Sequence, residues 1–564
     1  MKDEGKAKPP FLSSFRLRPS SFAFAALVAL YVAARLWRLT DSCLWFDEIF
    51  SVHAARHTWG ALWRFAAADL IHPPLFYALL KLWTAAGGES LLWLRLFPAL
   101  TAIAALVPFL LLARELRLGA RGAALALLLA AANGYLIKYA QELRMYSLLL
   151  LLTLTSLWLF VRLLNSARAS RALLSALFFA NLLLVYTHYY GWLVVACEAA
   201  LVAYADRRKL RALLPACAGL LLCFAPWVFA CAGASRAGGG LAQNVGWIER
   251  PGARDLTQLY ALLNEPFYFR QSSAEPVYAR GGALLGFLLL GVPVLLLIVN
   301  AWRRRRATLS SEEHAREDDT RVGGSGVRVG TLAFLSFFTL APVALAFAAS
   351  RVLPYSVWGT RHLIIVAAPY ALLCGAALAR TRPAWLRYTA LLLLSCWLFL
   401  VGALTLVRGE GPYVWCAWGD LAASAARDEE AAANDSGGAR AAGVNVYAFE
   451  ELVAYHLWFA LEGRRGPLRY NVASLKAVPG VAEDPAYFLP RDFDGATRAP
   501  AEAFIGTPRF WLAFRDTNFD ETRPPLNFIT SRGYRPARVY EASAQGQRAF
   551  LVLFEQVDDA GARK

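Results

Sequence analysis

Two adjacent carboxylates, Asp47 and Glu48, follow the first apolar run of the chain in Leu44-Trp45-Phe46-Asp47-Glu48. Acids at a membrane surface are costly unless they are solvated, paired or used. One of them can serve as a general base or hold a metal ion; the plain alternative is an exposed acid pair or a helix N-cap. Next comes His72-Pro73-Pro74-Leu75, in which two prolines fix φ and remove two backbone donors, so that a helix starts rigidly and His72 is held at the interface. The segment Tyr139-Ala140-Gln141-Glu142-Leu143-Arg144-Met145-Tyr146 sets Glu142 and Arg144 beside hydrocarbon. A Glu-Arg pair closing a tight turn would explain them equally well. Arg95 opens an apolar run, where a guanidinium either matches a lipid phosphate or snorkels to the interface. His188-Tyr189-Tyr190 and Arg361-His362 lie between other apolar runs. Each alone reads as an interface anchor.

Taken together these groups suggest one reaction. Orientation by charge puts Asp47, Glu48, His72, Arg95, Glu142, Arg144, His188, Arg361 and His362 on the same side of a membrane. Arginines neutralise phosphate, and a carboxylate removes an acceptor proton or holds a divalent ion. This suits an anionic lipid-linked donor and a neutral hydroxyl or amine acceptor. A metal remains open (Mg, Mn or Zn); if one is used, Asp47 and Glu142 are the expected ligands. The chain lacks GxxxxGK[ST], GxSxG and HExxH. An outer-face enzyme has no cytosolic ATP, so a donor already activated as a lipid phosphate makes physical sense.

The elements that must position these residues are membrane spans. The 564 residues are 58% hydrophobic, with a mean hydropathy of +0.41, and apolar runs recur along the first four hundred. The net charge of +17 is gathered in short clusters at the ends of those runs, the positive-inside pattern, which argues against nucleic acid as a partner. The expected architecture is a polytopic α-helical membrane protein of about 11 spans, near 22–38, 95–113, 122–137, 145–161, 172–187, 190–205, 213–232, 282–301, 330–349, 363–379 and 386–407. Residues 1–21 form a cytoplasmic N-terminus and 39–92 a first outer loop with interfacial helices. Its apolar part, 72–87, is too short to cross and reads as an interfacial helix. Residues 233–280 form a second outer loop with a flexible Gly238-Gly239-Gly240, and 303–328 a cytoplasmic linker. Eleven spans leave 408–564 outside as an α/β domain, with strands at 444–449, 510–514 and 549–554 and a helix at 450–461. Of the eight cysteines, Cys43 and Cys416 alone fall outside the spans, where an oxidising compartment would allow them to pair.

With these residues in place the sequence resembles the GT-C glycosyltransferases, in particular the dolichyl-phosphate-mannose protein mannosyltransferases and the bacterial lipid A aminoarabinose transferases. The resemblance runs over about residues 20 to 405. It rests on Asp47-Glu48, on His72-Pro73-Pro74-Leu75, on Arg95-Leu96-Phe97-Pro98, on Glu142 to Tyr146, and on Arg361-His362 with Pro369. It implies that Asp47 is the essential first-loop acid, Glu48 its partner and Glu142 a second acidic position. It implies that Arg95, with Arg144 and Arg361, supports the donor phosphate. His72, Pro73 and Pro74, with His188, Tyr189 and His362, would shape the acceptor groove. The implied activity is inverting hexosyl or pentosyl transfer from a polyprenyl-phosphate sugar to a lipid, polysaccharide or protein. The mannosyltransferases' β-trefoil domain has no counterpart here. A composition rich in Ala, Leu and Arg and poor in Lys suggests a bacterial inner membrane with a periplasmic site. The rival reading, a transporter or flippase of lipid-linked glycans, calls for midplane charges and internal repeats; the acids sit at span ends and no repeat is visible.

Overall fold

A computed structural model describes residues 19–237, 240–267, 284–309, 321–322, 329–407, 414–435, 443–462, 464, 468–482, 489–490, 493–544 and 547–557. Gly238-Gly239 and most of the expected linker lie outside them. Every expected span contains an apolar helix. Among the described residues six helices are long and apolar enough to cross a membrane, and six more are apolar but shorter. α1 (Pro19–Leu36) is followed by three short helices, α2 (Phe46–Arg56), α3 (Trp59–Asp69) and α4 (Leu75–Gly87). The 13 residues of α4 span about 20 Å, short of the roughly 30 Å of hydrocarbon, as expected for 72–87. The first outer loop was expected to carry interfacial helices, of which only 72–87 was given bounds; α2 and α3 lie in the polar and aromatic stretch before it.

The second span is a bent pair, α5 (Leu91–Ala104) and α6 (Leu106–Glu115). Its start is four residues earlier than expected, so Arg95 sits one turn inside the helix. The third span is also broken, into α7 (Gly119–Ala132) and α8 (Gly134–Gln141). Asn133 makes the break: its side chain accepts from the Leu136 N–H at 2.9 Å and caps α8. There follow α9 (Tyr146–Asn165), α10 (Arg171–Thr187), α11 (Gly191–Ala205) and α12 (Arg207–Ala237). After α13 (Ala253–Asn264), α14 (Val292–Leu309) continues through the basic cluster that was expected to end its span at 301. α15 (Thr331–Val352) leads to a 3-10 turn, Thr360–Val366, which runs directly into α16 (Ala367–Arg380); α17 (Ala384–Val407) is the last apolar helix.

The C-terminal region is an α/β unit, as expected. Its strands are β1 (Val444–Ala448), β2 (Tyr470–Lys476), β3 (Ala496–Pro500), β4 (Arg509–Asp516), β5 (Tyr534–Ala544) and β6 (Gln547–Gln556). They form one sheet in the order β3-β2-β1-β4-β6-β5, parallel from β3 to β4 and antiparallel beyond it. Side chains alternate between the faces of a strand. Phe510, Leu512 and Phe514 accordingly join one core with Phe504, Phe550 and Phe554. Trp511 and Ala513 face the other way, in a core shared with α18 (Ala417–Asp435) and α19 (Glu451–Glu462).

This unit is docked on the first loop, beside the candidate acids. His53 Nδ1 on α2 lies 2.9 Å from the Tyr455 hydroxyl on α19, and the His53 ring packs 4.8 Å from Trp458. Arg56 pairs with Glu462 at 2.8 Å and with Glu89 at 2.7 Å. Cys43 and Cys416 are joined by a disulfide. The bond ties the segment just before Asp47 to the segment just before α18. Replacing both cysteines with serine is expected to cost about 2–4 kcal/mol of stability, read as a lower thermal midpoint in detergent. Non-reducing peptide mapping should recover the Cys43–Cys416 pair, and equal midpoints in the two proteins would contradict a fastening role.

Candidate active site

The first-loop acids part company on folding. Glu48 is fully enclosed and accepts three hydrogen bonds. Its Oε2 takes the Trp45 N–H at 3.1 Å and Arg95 Nη2 at 2.9 Å, and its Oε1 takes the Leu143 N–H at 2.8 Å. Arg95 also donates to the Cys43 carbonyl at 2.8 Å. The side chains of both partners are 1% exposed. Glu48 therefore caps α2, fastens α2 to α5 and holds the Glu142–Met145 turn, all with one carboxylate. This revises two expectations. Glu48 was placed among the catalytic groups and Arg95 among the phosphate ligands; here each neutralises the other inside the protein, out of reach of a substrate.

Asp47, one residue earlier, points elsewhere. Its Oδ2 lies 3.2 Å from Arg361 Nη1, and the two side chains are 18% and 28% exposed. This is the open end of an otherwise buried cluster. Arg144 supports Asp47 from behind, donating to its main-chain carbonyl at 3.0 Å and to Ser51 Oγ at 3.2 Å. Burial works against ionisation of Asp47, but the Arg144 and Arg361 guanidiniums outweigh it and hold the carboxyl below the usual carboxylate range. Asp47 is thus ionised at neutral pH.

Glu142 caps the end of α8 and is buried. Its Oε1 has no hydrogen-bond partner. Burial pushes its carboxyl up to about 7; the nearby charges of Glu48 and Asp47 act in the same direction, while Lys138 opposes them. Lys138, itself buried, was missed in the sequence. The available signal was a lone lysine within an apolar stretch, at the end away from the basic clusters.

The histidines gather beside this acid-arginine group. Arg144 Nη2 lies 3.3 Å from His72 Nδ1 and 3.4 Å from its Nε2, so the guanidinium meets both nitrogens nearly equally. Asp69 Oδ2 is 3.4 Å from His72 Nδ1. His188 accepts the Tyr190 N–H on Nδ1 at 3.0 Å, and its ring lies 4.5 Å from that of His362. Burial, then the Arg144 guanidinium, keeps His72 well below its ordinary range. His188 is lowered in the same direction, by burial first and His72 second. Pro74 precedes α4 as its N-cap residue. Tyr189 turns toward the Leu70 carbonyl at 3.3 Å and receives the Trp227 indole N–H at 3.0 Å. The structure thus brings together Asp47, Glu142, Arg144, Arg361, His72, His188 and His362.

No protein-family model and no curated protein sequence matches the chain. Solved structures do. ArnT from Cupriavidus metallidurans in the apo state matches with a TM-score of 0.54 at 13% identity, covering 94% of this chain and 97% of that one. The same protein bound to undecaprenyl phosphate matches with the same values. The chain therefore shares the overall fold of ArnT.

Two outcomes follow from the geometry. Glu48→Ala leaves Arg95 buried without its carboxylate and should destabilise the protein by about 3–5 kcal/mol, read by thermal or denaturant unfolding in detergent. The second concerns pH. An unfolded glutamate titrates near 4.5, whereas Glu142 in the fold holds its proton up to about 7. Between those values the folded chain binds more protons than the unfolded one, so its contribution to stability falls as pH rises. Glu142→Gln should flatten that slope across pH 4.5 to 7, and an unchanged slope would contradict the assignment.

Proposed function

We propose that this chain is a membrane glycosyltransferase that takes a sugar from a polyprenyl-phosphate donor and passes it, with inversion, to a lipid, polysaccharide or protein acceptor outside the cytoplasm. The observation that carries this reading is the half-open Asp47–Arg361 pair, 3.2 Å apart, at the mouth of a cluster otherwise sealed by protein.

Asp47 is held ionised, and a carboxylate can accept the proton of an acceptor hydroxyl or amine as it attacks. The attacking atom forms its bond to the anomeric carbon from the face opposite the phosphate. The carbon–oxygen bond to the phosphate breaks, its electron pair stays on the phosphate oxygen, and the polyprenyl phosphate departs. Arg361 is the guanidinium exposed enough to meet that developing charge. Arg144 keeps the Asp47 main chain in place through the 3.0 Å bond to its carbonyl. Glu142, with a proton affinity near neutrality, can hold or release a proton next to them. A divalent ion on Asp47 and Glu142 competes with Arg361 for the same carboxylate, so the chemistry drawn here does not depend on one at those two residues.

The hydrocarbon part of the donor has a bed beside these residues. An apolar crevice is lined by Leu129, Leu136, Leu263, Tyr370, Trp397 and Leu398. Leu136 lies on α8, which leads to Glu142, and Tyr370 on α16, which follows Arg361. ArnT of the same fold was crystallised with undecaprenyl phosphate, which fits a donor of this class. The Cys43–Cys416 disulfide fits an oxidising compartment for the first loop and the C-terminal unit, as a periplasmic site requires.

The test is reconstitution with a polyprenyl-phosphate sugar and a membrane-lipid or glycan acceptor, read by release of the polyprenyl phosphate. Asp47→Asn should lower the rate by about 10²–10⁴-fold while the protein remains folded by circular dichroism and gel filtration. Full activity in that variant would remove Asp47 from the chemistry.

A further inference from the structure

His72, His188 and His362 come from three separate segments: the turn before α4, the turn between α10 and α11, and the 3-10 turn before α16. One nitrogen from each lies within 4.8 Å of the others. Two of these rings have nitrogens that nothing satisfies. His188 Nε2 and both nitrogens of His362 are buried with no hydrogen-bond partner. Buried polar atoms are nearly always paired, and the exceptions call for a reason. His362 is also pressed against the main chain. A Cβ at Gly359 would lie 2.5 Å from its Nδ1, so glycine at 359 permits this ring position.

We propose that these three histidines form a binding site for a divalent ion of the zinc class, next to the Asp47–Arg361 pair and separate from the carboxylates. Three imidazoles suit Zn²⁺, Co²⁺ or Ni²⁺; ions such as Mg²⁺ and Mn²⁺ prefer oxygen. Ligand nitrogens bind at about 2.0–2.1 Å, and three protein ligands leave a fourth position for a substrate atom. The rings must close somewhat from their present spacing. Asp69, 3.4 Å from His72 Nδ1, orients that ring so that Nε2 carries the free lone pair. His188 must give up the 3.0 Å bond that its Nδ1 accepts from Tyr190, since accepting there puts the proton on Nε2.

The charges nearby indicate the fourth ligand. The Arg144 guanidinium lies 3.3 Å from His72, with Arg361 close by and Asp47 and Asp69 opposing. A dication adds positive charge to a group that is already balanced, so an anionic oxygen is the favoured partner. That oxygen belongs to the donor phosphate, a step that rests on the proposed transferase reading; the ion site itself does not.

The experiment uses full-length protein in detergent, stripped with a chelator and titrated with Co²⁺ and separately with Zn²⁺. The visible spectrum of the cobalt form and elemental analysis of the zinc form are the readouts. One ion per chain is expected, with the intense visible bands of a tetrahedral cobalt site. His72→Gln, His188→Gln and His362→Gln should each weaken binding at least about tenfold, while Asp47→Asn retains it. No bound ion in the unsubstituted protein overturns the proposal, and so does binding that survives all three histidine substitutions. Full transfer activity in a metal-free protein would overturn the role of the ion and leave the transferase reading standing. An ion bound as expected in a protein that transfers no sugar would do the reverse.

Discussion

An ionised group buried away from water must find an opposite charge and fill its hydrogen bonds, or it will not stay ionised. The Glu48–Arg95 pair, 2.9 Å apart and sealed from solvent, meets this demand and organises the rest of the site in doing so. One carboxylate joins the start of α2, the second turn of α5 and the turn after α8. Those three places carry Asp47, the floor of the first loop, and Glu142 with Arg144. The neighbouring Asp47 is thereby turned toward Arg361 and the open side. The chemistry proposed for Asp47 depends on its neighbour being occupied elsewhere.

The C-terminal unit extends the same logic. Among the described residues it contributes no side chain to the acid-arginine cluster, yet it lies against α2 through His53, Tyr455 and Trp458, and it is bonded to the residue whose carbonyl receives Arg95. The helix that presents Asp47 is therefore held on one side by the membrane helices and on the other by the sheet domain. Holding a carboxylate on rigid elements is what the proton transfer proposed for Asp47 requires.

The sequence reading located the spans because hydropathy and the basic clusters are local signals that repeat. It located Asp47, Glu142, Arg144, Arg361 and the histidines because charge beside hydrocarbon is expensive enough to be noticed. It could not assign partners. Glu48 and the Leu143 N–H are 95 residues apart, and no periodicity links such positions; Cys43 and Cys416, 373 apart, could be matched only because the other six cysteines fall in apolar runs. Arg95 and Glu48 carry the same charges whether they bind substrate or each other, so their structural use was invisible. Asn133-Gly134 is a turn-forming dipeptide and did mark the break between α7 and α8, although the apolar run around it hid the signal. Helices α2 and α3 owe their burial to contacts with the C-terminal unit and the spans, which a window along the chain does not see.

The central claim is that Asp47 and Arg361 face the phosphate end of a lipid donor. The most direct measurement is a structure of the full chain in lipid nanodiscs with a polyprenyl phosphate bound. The account predicts phosphate density within hydrogen-bond reach of Arg361, with Asp47 beside it and the hydrocarbon chain entering between α8 and α16. Phosphate held in a groove that neither Asp47 nor Arg361 lines would contradict it.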